Sequence, residues 1–469
     1  MAAPLSTTVT IILDPGTIFT TNAAQALAVQ DASFITNAGQ ITISGGGAAL
    51  VGIGSGNLLT NNGSITTTGG GTIGITDGPV GTTNQVINNG AIATSGSSSH
   101  GIALTGPGNS VINTGTITVT GSASKGIFLT GGSGAANVVI NSGTIHTTGN
   151  NTGGFAAGVQ SNTTGGAFLA RVENLANGRI ISDQSHALRG NNGSETFINS
   201  GYLEGHGGAG DEAILMGAGG GTLILRTGSV IRGGAVGGGV NNSAFLEGSG
   251  TVDNNFRNFQ NLTMRGTAWS WLTNASFSDS IQVQTGTLTF SSTLTSPVIN
   301  VLAGSSVAGT GTFVGNVTSQ GTLLPGPGAG NGFGALTVRG NYTGTNASLR
   351  LNAALGSDNS PANRLVIDGG IASGNTGVQV VNLGGAGAST TADGILLVQA
   401  VNGASTGGSA FALAQPAQAG AYDYRLTTTG CSRAARPATT RTTGTCGPRR
   451  LPWVASSSRP RRKPPPWPR

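Results

Sequence analysis

Apolar and polar positions alternate along this chain in bursts of four to six residues. From Ile35 to Leu203 the bursts repeat one phrase seven times: aliphatic, x, Asn, x, Gly, x, aliphatic. It stands at Ile35, Asn37, Gly39 and Ile41, again at Leu59, Asn61, Gly63 and Ile65, and again at Val86, Asn88, Gly90 and Ile92. It returns at residues 111–117 and 139–145, gains two residues at 172–180, and recovers at 197–203. Period-two alternation bounded by Gly, Asn and Ser predicts short strands and tight turns, and nothing sustains a helical 3.6-residue stripe. Further strand cues follow each phrase, such as Gly101 to Leu104 and Gly126 to Leu129. Two or three strands per two dozen residues predict one coil of a parallel β-helix, because a fixed period of 20–50 residues marks a stacked array.

The repeated aliphatics are expected to fill the interior and the repeated Asn to form an amide ladder at a corner. Asn is expected there for its tolerance of left-handed backbone, and the Gly two residues on for a positive φ. Each phrase therefore reads as a corner of the scaffold, not as a ligand site. The competing geometry, a series of hairpins, would favour two-residue turns, whereas these connections vary in length. Plainer coils continue through residues 223–231, 244–252, 262–264, 281–290, 298–302 and 306–314. About fifteen coils over residues 30–400 would stack to roughly 70 Å at 4.8 Å each. Trp269 and Trp271 fall on one side of a strand, as core packing in preference to a carbohydrate platform.

Composition supports one ordered array. Gly is 83 of 469 residues and charged residues are 8%, yet no Gly-X-Y triplet appears. The net charge of +6 is uneven: residues 427–469 hold ten of the 22 Lys and Arg and no acid. The rest carries 12 basic against 16 acidic groups, so it has no basic stripe for nucleic acid. Both cysteines, Cys431 and Cys446, lie in the same tail, leaving the body to stacking without disulfides. Residues 1–12 show no readable signal peptide, and no apolar run is long enough for a transmembrane helix.

Residues 304–426 change character. Leu336, Val338 and Tyr342 in 334–343, Leu365, Ile367 and Asp368 in 363–370, and Ile395 and Leu397 in 392–398 follow one another there. Phe411 and Leu413 come next, then Tyr422, Tyr424 and Leu426. In this order they resemble the C-terminal, autochaperone-like part of a pertactin-like bacterial autotransporter passenger, a type V secretion system. The resemblance implies a block that caps the β-helix and aids folding outside the cell, followed by an outer-membrane β-barrel. It implies location at the cell surface, or secretion across the outer membrane. After Leu426 the sequence turns to Arg, Pro and Thr, without the alternating ten-residue strands of a barrel. That break is read as out-of-frame translation into a disordered tail; a basic Pro-rich tail for acidic surfaces is the other reading.

The expected fold is therefore all-β: a right-handed parallel β-helix with a C-terminal capping block and a disordered basic tail. Its divisions are an N-terminal cap or missing-signal region at 1–30, β-helix repeats at 31–303, the cap at 304–426, and the tail at 427–469.

Chemistry is sparse. A β-helix polysaccharide lyase or hydrolase needs carboxylates converging in a groove. The densest set is Arg179, Asp183, His186, Arg189, Glu195, Glu204, His206, Asp211 and Glu212, with no pair at the spacing of adjacent coils. It reads as a charged face; were the chain an enzyme, the site would be there. Residues 207–211 are similar to a calcium-binding glycine-rich turn, but with Asp one position early and in a single copy. His100, His146, His186 and His206 lack zinc spacing. No phosphate loop, nucleophile elbow or Arg-Gly-Asp motif occurs in the body. The expectation is a non-enzymatic, monomeric surface adhesin or virulence factor without catalytic, cofactor or metal residues. Its partners would be host cell surfaces, extracellular matrix or other bacterial cells. The alternatives are the polysaccharide enzyme and a decayed fragment.

Overall fold

The computed structural model describes residues 8–79, 81–131, 134–150, 156–163, 169–328, 332–428 and 453–460. It divides into two compact units, Met1–Gln260 and Asn261–Arg469. Every named element is a strand, and no helix occurs among the described residues.

In the first unit each coil has three short strands. The second coil, for example, runs through Phe34–Asn37, Gln40–Ile43 and Ala48–Ile53. Each strand pairs in parallel with its counterpart one coil on: Phe34 with Leu58, Gln40 with Ser64, Ala48 with Ile73. Repetition builds three parallel sheets around one interior, which excludes the hairpin geometry. Alternation puts Ile35, Leu59, Val86 and Val111 inward on the first sheet and Ile41, Ile65, Ile92 and Ile117 inward on the second, each at most 1% exposed. Burying each such side chain contributes about 1.5–3 kcal/mol.

The expected Asn ladder is present. Asn37, Asn61, Asn88, Asn113, Asn141, Asn174 and Asn199 are fully buried. Each amide Nδ2 donates to the Oδ1 of the next at 2.7–2.9 Å. The coils between them span 24 to 33 residues. Beyond Asn199 the ladder ends on the Ser229 hydroxyl, where the phrase itself fades. A second ladder, not anticipated, joins Asn57, Asn84, Asn109 and Asn137: the side-chain oxygen of each of the last three accepts the backbone N–H of the Asn one coil earlier at 2.8 Å.

Two expectations about this corner are corrected. None of the first ladder's Asn residues has a positive φ, and neither do Gly39, Gly63, Gly90, Gly115 and Gly143. These glycines serve close approach. A Cβ at Gly63 would sit 2.0 Å from the Gly39 carbonyl oxygen, and one at Gly115 equally close to that of Gly90. Glycine stacks on glycine, so the backbone comes nearer at the corner than any side chain permits.

The second unit stacks differently. Strands Ala275–Val283 and Thr293–Val301 are nine residues long and pair with a register shift between Ser276 and Ser280. A bulge of this kind bends a strand, so a coil turns its corner without a loop. Neighbouring coils are accordingly 19 residues apart at Asn261 and Ser280, shorter than the expected two dozen. The interior is aromatic: Trp269 and Trp271 are at most 1% exposed, Trp271 meets Phe277 edge-on at 5.8 Å, and Phe290 lies 4.5 Å from Phe313. Further on, Tyr342–Ala353 and Ile371–Asn382, twelve residues each, pair in parallel.

At the C-terminal end the pairing becomes antiparallel: Ala417–Ala419 joins Tyr422–Thr428. Tyr424 is buried, and its hydroxyl bonds to the backbone of Gly356 and Ala388. Much of the expected disordered tail, with Cys431 and Cys446, lies outside the described residues. Within it the Trp453–Pro460 backbone departs from that expectation, running as a strand antiparallel to Tyr422–Thr428 and Ile395–Val401.

Candidate functional surface

The outward positions of the second sheet of the first unit form two columns fixed by register. One reads Ser64, Ala91, Thr116, Thr144, then Arg179 and Tyr202. The other reads Thr66, Ala93, Thr118, His146, Ile181, Glu204 and Arg232. Small, uncharged side chains thus give way within one or two coils to long charged and aromatic ones. Alternation alone places them outside, since their neighbours Ile180 and Leu203 fill the interior.

On that face the Arg179 guanidinium lies over the Tyr202 ring at 4.2 Å. The Tyr202 hydroxyl donates to Glu204 at 2.7 Å. His206 bridges two acids, with Nδ1 2.7 Å from Asp211 and Nε2 3.7 Å from Glu204. The hydrogen bond to Asp211 raises the His206 pKa, favouring the imidazolium. Arg232 meets Asp253 at 3.0 Å on the next coil.

A second group sits beside the third sheet. Buried His186 lies 3.2 Å from Glu212, which also accepts from Arg257 at 2.7 Å. Burial lowers the His186 pKa against the pull of that acid. Glu195 is buried and accepts the Gly217 N–H at 2.8 Å and the Ser161 hydroxyl at 3.2 Å; burial pushes its carboxyl up to about 7. On the first sheet Arg226 joins Glu173 at 2.9 Å to Glu247 at 2.8 Å.

The nine clustered residues are thus split. Arg179, Glu204, His206 and Asp211 share one polar chain, and His186 and Glu212 share another. Asp183 pairs with His146 at 2.9 Å, Glu195 is buried among backbone partners, and Arg189 is lowered in pKa by burial. The expectation that no pair within the set converges at coil spacing is corrected at one place: His186 and Glu212, 26 residues apart, meet at 3.2 Å. Each carboxylate of the cluster is held by a His, an Arg, a hydroxyl or a backbone N–H. Residues 207–211 form a turn closed by Gly207 and Glu212, with Asp211 at φ 55°. Among the described residues no group of three or more His, Cys, Asp or Glu is arranged to hold a metal. His100 packs on Phe128 at 5.0 Å, its pKa lowered to about 4 by burial and by Lys125.

Sequence reasoning missed Tyr202, Arg226, Arg232, Asp253 and Arg257 as parts of this surface. A signal was present: Arg226 and Glu247, like Arg232 and Asp253, stand 21 residues apart, one short coil.

Comparison with known proteins gives two family matches. Residues 312–426 match Autochaperone Domain Type 1, and residues 4–208 match the BigA fourth domain. The chain is 50% identical over 109 residues to the adhesin BmaC autotransporter of Brucella suis biovar 1 (strain 1330), covering 22% of this chain and 3% of that protein. It is 34% identical over 198 residues to the uncharacterized protein YuaQ of Escherichia coli (strain K12), covering 40% of this chain and 14% of the relative. It is 47% identical over 91 residues to YdeU of the same organism, also uncharacterized, covering 19% of each. The chain therefore spans less than a fifth of the length of these relatives.

Proposed function

We propose that this autotransporter passenger-like protein, all-β and matching an autochaperone domain over residues 312–426, is a non-enzymatic adhesin presented at the cell surface. Its partners in this reading are host cells, extracellular matrix or other bacterial cells. The observation that carries it is the match to the BmaC adhesin, set beside a surface whose acids are all engaged. An enzyme of this fold would leave a carboxylate poised to take or give a proton in a groove. Here Glu204, Asp211, Glu212 and Asp253 hold neighbouring side chains in place. The stacked coils act as a scaffold, and contact is made by side chains and loops that vary from coil to coil. Shallow sites repeated along a face gain avidity together.

The test is adherence of beads carrying the full chain to host cells and matrix-coated wells, beside an assay for sugar products released from polysaccharides. Adherence without turnover supports the reading. Turnover that disappears in His206→Ala, with no adherence, replaces it with the polysaccharide enzyme.

A further inference from the structure

At the corner between the second and third sheets, upstream coils are closed by stacked hydroxyls: Ser99 Oγ accepts the Thr72 N–H, and Ser124 Oγ accepts that of Ser99. Downstream the same corner opens into a recess of about 200 Å³ walled by Asp211, Arg232, Gly233, Gly234, Asp253 and Asn255. That is room for about seven waters, below the roughly 300 Å³ at which drug-sized pockets begin.

Gly234 is what keeps it open. Most strand glycines of this unit are locked in place: a Cβ at Gly74, Gly101 or Gly221 would meet another atom at 2.3–2.5 Å. The adjacent Gly233 has φ +108° and a carbonyl oxygen 2.4 Å from its would-be Cβ. Gly234 has neither constraint. The three atoms nearest its Cβ would be the carbonyl oxygens of Asn255, Asp211 and Gly210 at 3.6–3.9 Å, all ordinary contacts, and all three residues line the recess. Stacking does not require glycine at this position, yet a side chain there would fill the space.

We propose that this recess holds one ring of a neutral saccharide, with Asp253, Arg232 and Asp211 as its polar contacts. The proposal rests on the adhesin reading and deepens it. Asp253 pairs with Arg232 at 3.0 Å and Asp211 with His206 at 2.7 Å, so acceptors and donors stand side by side around a small space. Vicinal hydroxyls both donate and accept, which suits that set. The charges balance in pairs, which favours an uncharged ligand. Two carboxylates at the rim oppose a phosphate, and the polar walls oppose a lipid chain.

The experiment screens the full chain on an array of neutral oligosaccharides ending in glucose, galactose, mannose or N-acetylglucosamine, with titration of the strongest binder. Gly234→Val and Asp253→Asn should each weaken binding at least about tenfold, while Thr66→Ala on the early coils leaves it unchanged. Melting temperatures close to that of the parent show that the variants fold. Binding that survives Gly234→Val in a folded protein, or no retention of any neutral sugar, overturns the proposal. Cell adherence measured in parallel separates the readings. Equal adherence by parent and Gly234→Val sinks the recess and leaves the adhesin standing, whereas no adherence by the parent sinks the adhesin.

Discussion

The early and late coils of the first unit share one interior and differ in everything outside it. From Asn37 to Asn199 the corner amides run unbroken, and the second-sheet surface from Ser64 to Thr118 carries only small uncharged residues. From Arg179 onward the surface bears Arg, Tyr, Glu and His; past Asn199 the ladder stops at Ser229, and Arg226 ties Glu173 to Glu247 across coils. Stacking is thus set by a buried polar seam that asks nothing of the surface. The surface is free to change from coil to coil, and it does so where the candidate site lies.

If the seam sets the stack, its disruption should cost most. Gly115→Ala forces a Cβ to within 2.0 Å of the Gly90 carbonyl and should destabilise the first unit by more than about 4 kcal/mol, read by denaturant unfolding. Asn113→Ala leaves the amides of Asn88 and Asn141 each without one partner. Unpaired buried groups at about 1–3 kcal/mol each set the expected loss near 3 kcal/mol. A loss under about 1 kcal/mol in either variant would mean that aliphatic packing alone fixes the register.

A smaller effect concerns pH. Asp77 is buried among Thr105 and Asn109, and burial raises its carboxyl from 3.8 to about 7. Between those values the folded protein holds a proton that the unfolded chain has lost, so stability falls as pH rises through this window. Asp77→Asn should flatten that fall by up to a few kcal/mol, at about 1.4 per unit of separation; an unchanged slope in melting temperature against pH would refute the assignment. Asp368 in the second unit has the opposite sign. Its hydrogen bond from Arg339 lowers its pKa, so its contribution is present at neutral pH and lost on acidification. Least of all, Arg226→Ala should cost about 1 kcal/mol and lose its effect at high salt, because its side chain is 38% exposed.

Much of the scaffold was legible because its determinants repeat. Asn, Gly and the flanking aliphatics recur in each coil from Asn37 to Asn199, so a period revealed both the fold and the corner ladder. The second ladder was legible too, though unread: Asn57, Asn84, Asn109 and Asn137 each stand four residues before a phrase Asn. The reason for glycine was not legible, since a tight backbone approach and a positive φ select the same residue. The short coils of the second unit were hidden because bulges replace turns there: the one at Ser276 to Ser280 has no Gly or Pro, and Pro297 at the next lies inside a nine-residue strand instead of marking a loop. The polar surface was only partly visible. Its partners on different coils sit anywhere from 21 to 53 residues apart, depending on the loop lengths between them, so composition showed a charged cluster without showing who meets whom.

The difference between the two surfaces leads to one decisive comparison, cell adherence of the full chain in two surface variants of matched stability. Tyr202→Ser with Arg232→Ser alters the late coils; Thr66→Ala with Thr118→Ala alters the early ones. Adherence should drop at least about tenfold in the first and stay within about twofold of the parent in the second. Equal adherence in both, or a loss confined to the Thr variant, would contradict a binding face on the late coils.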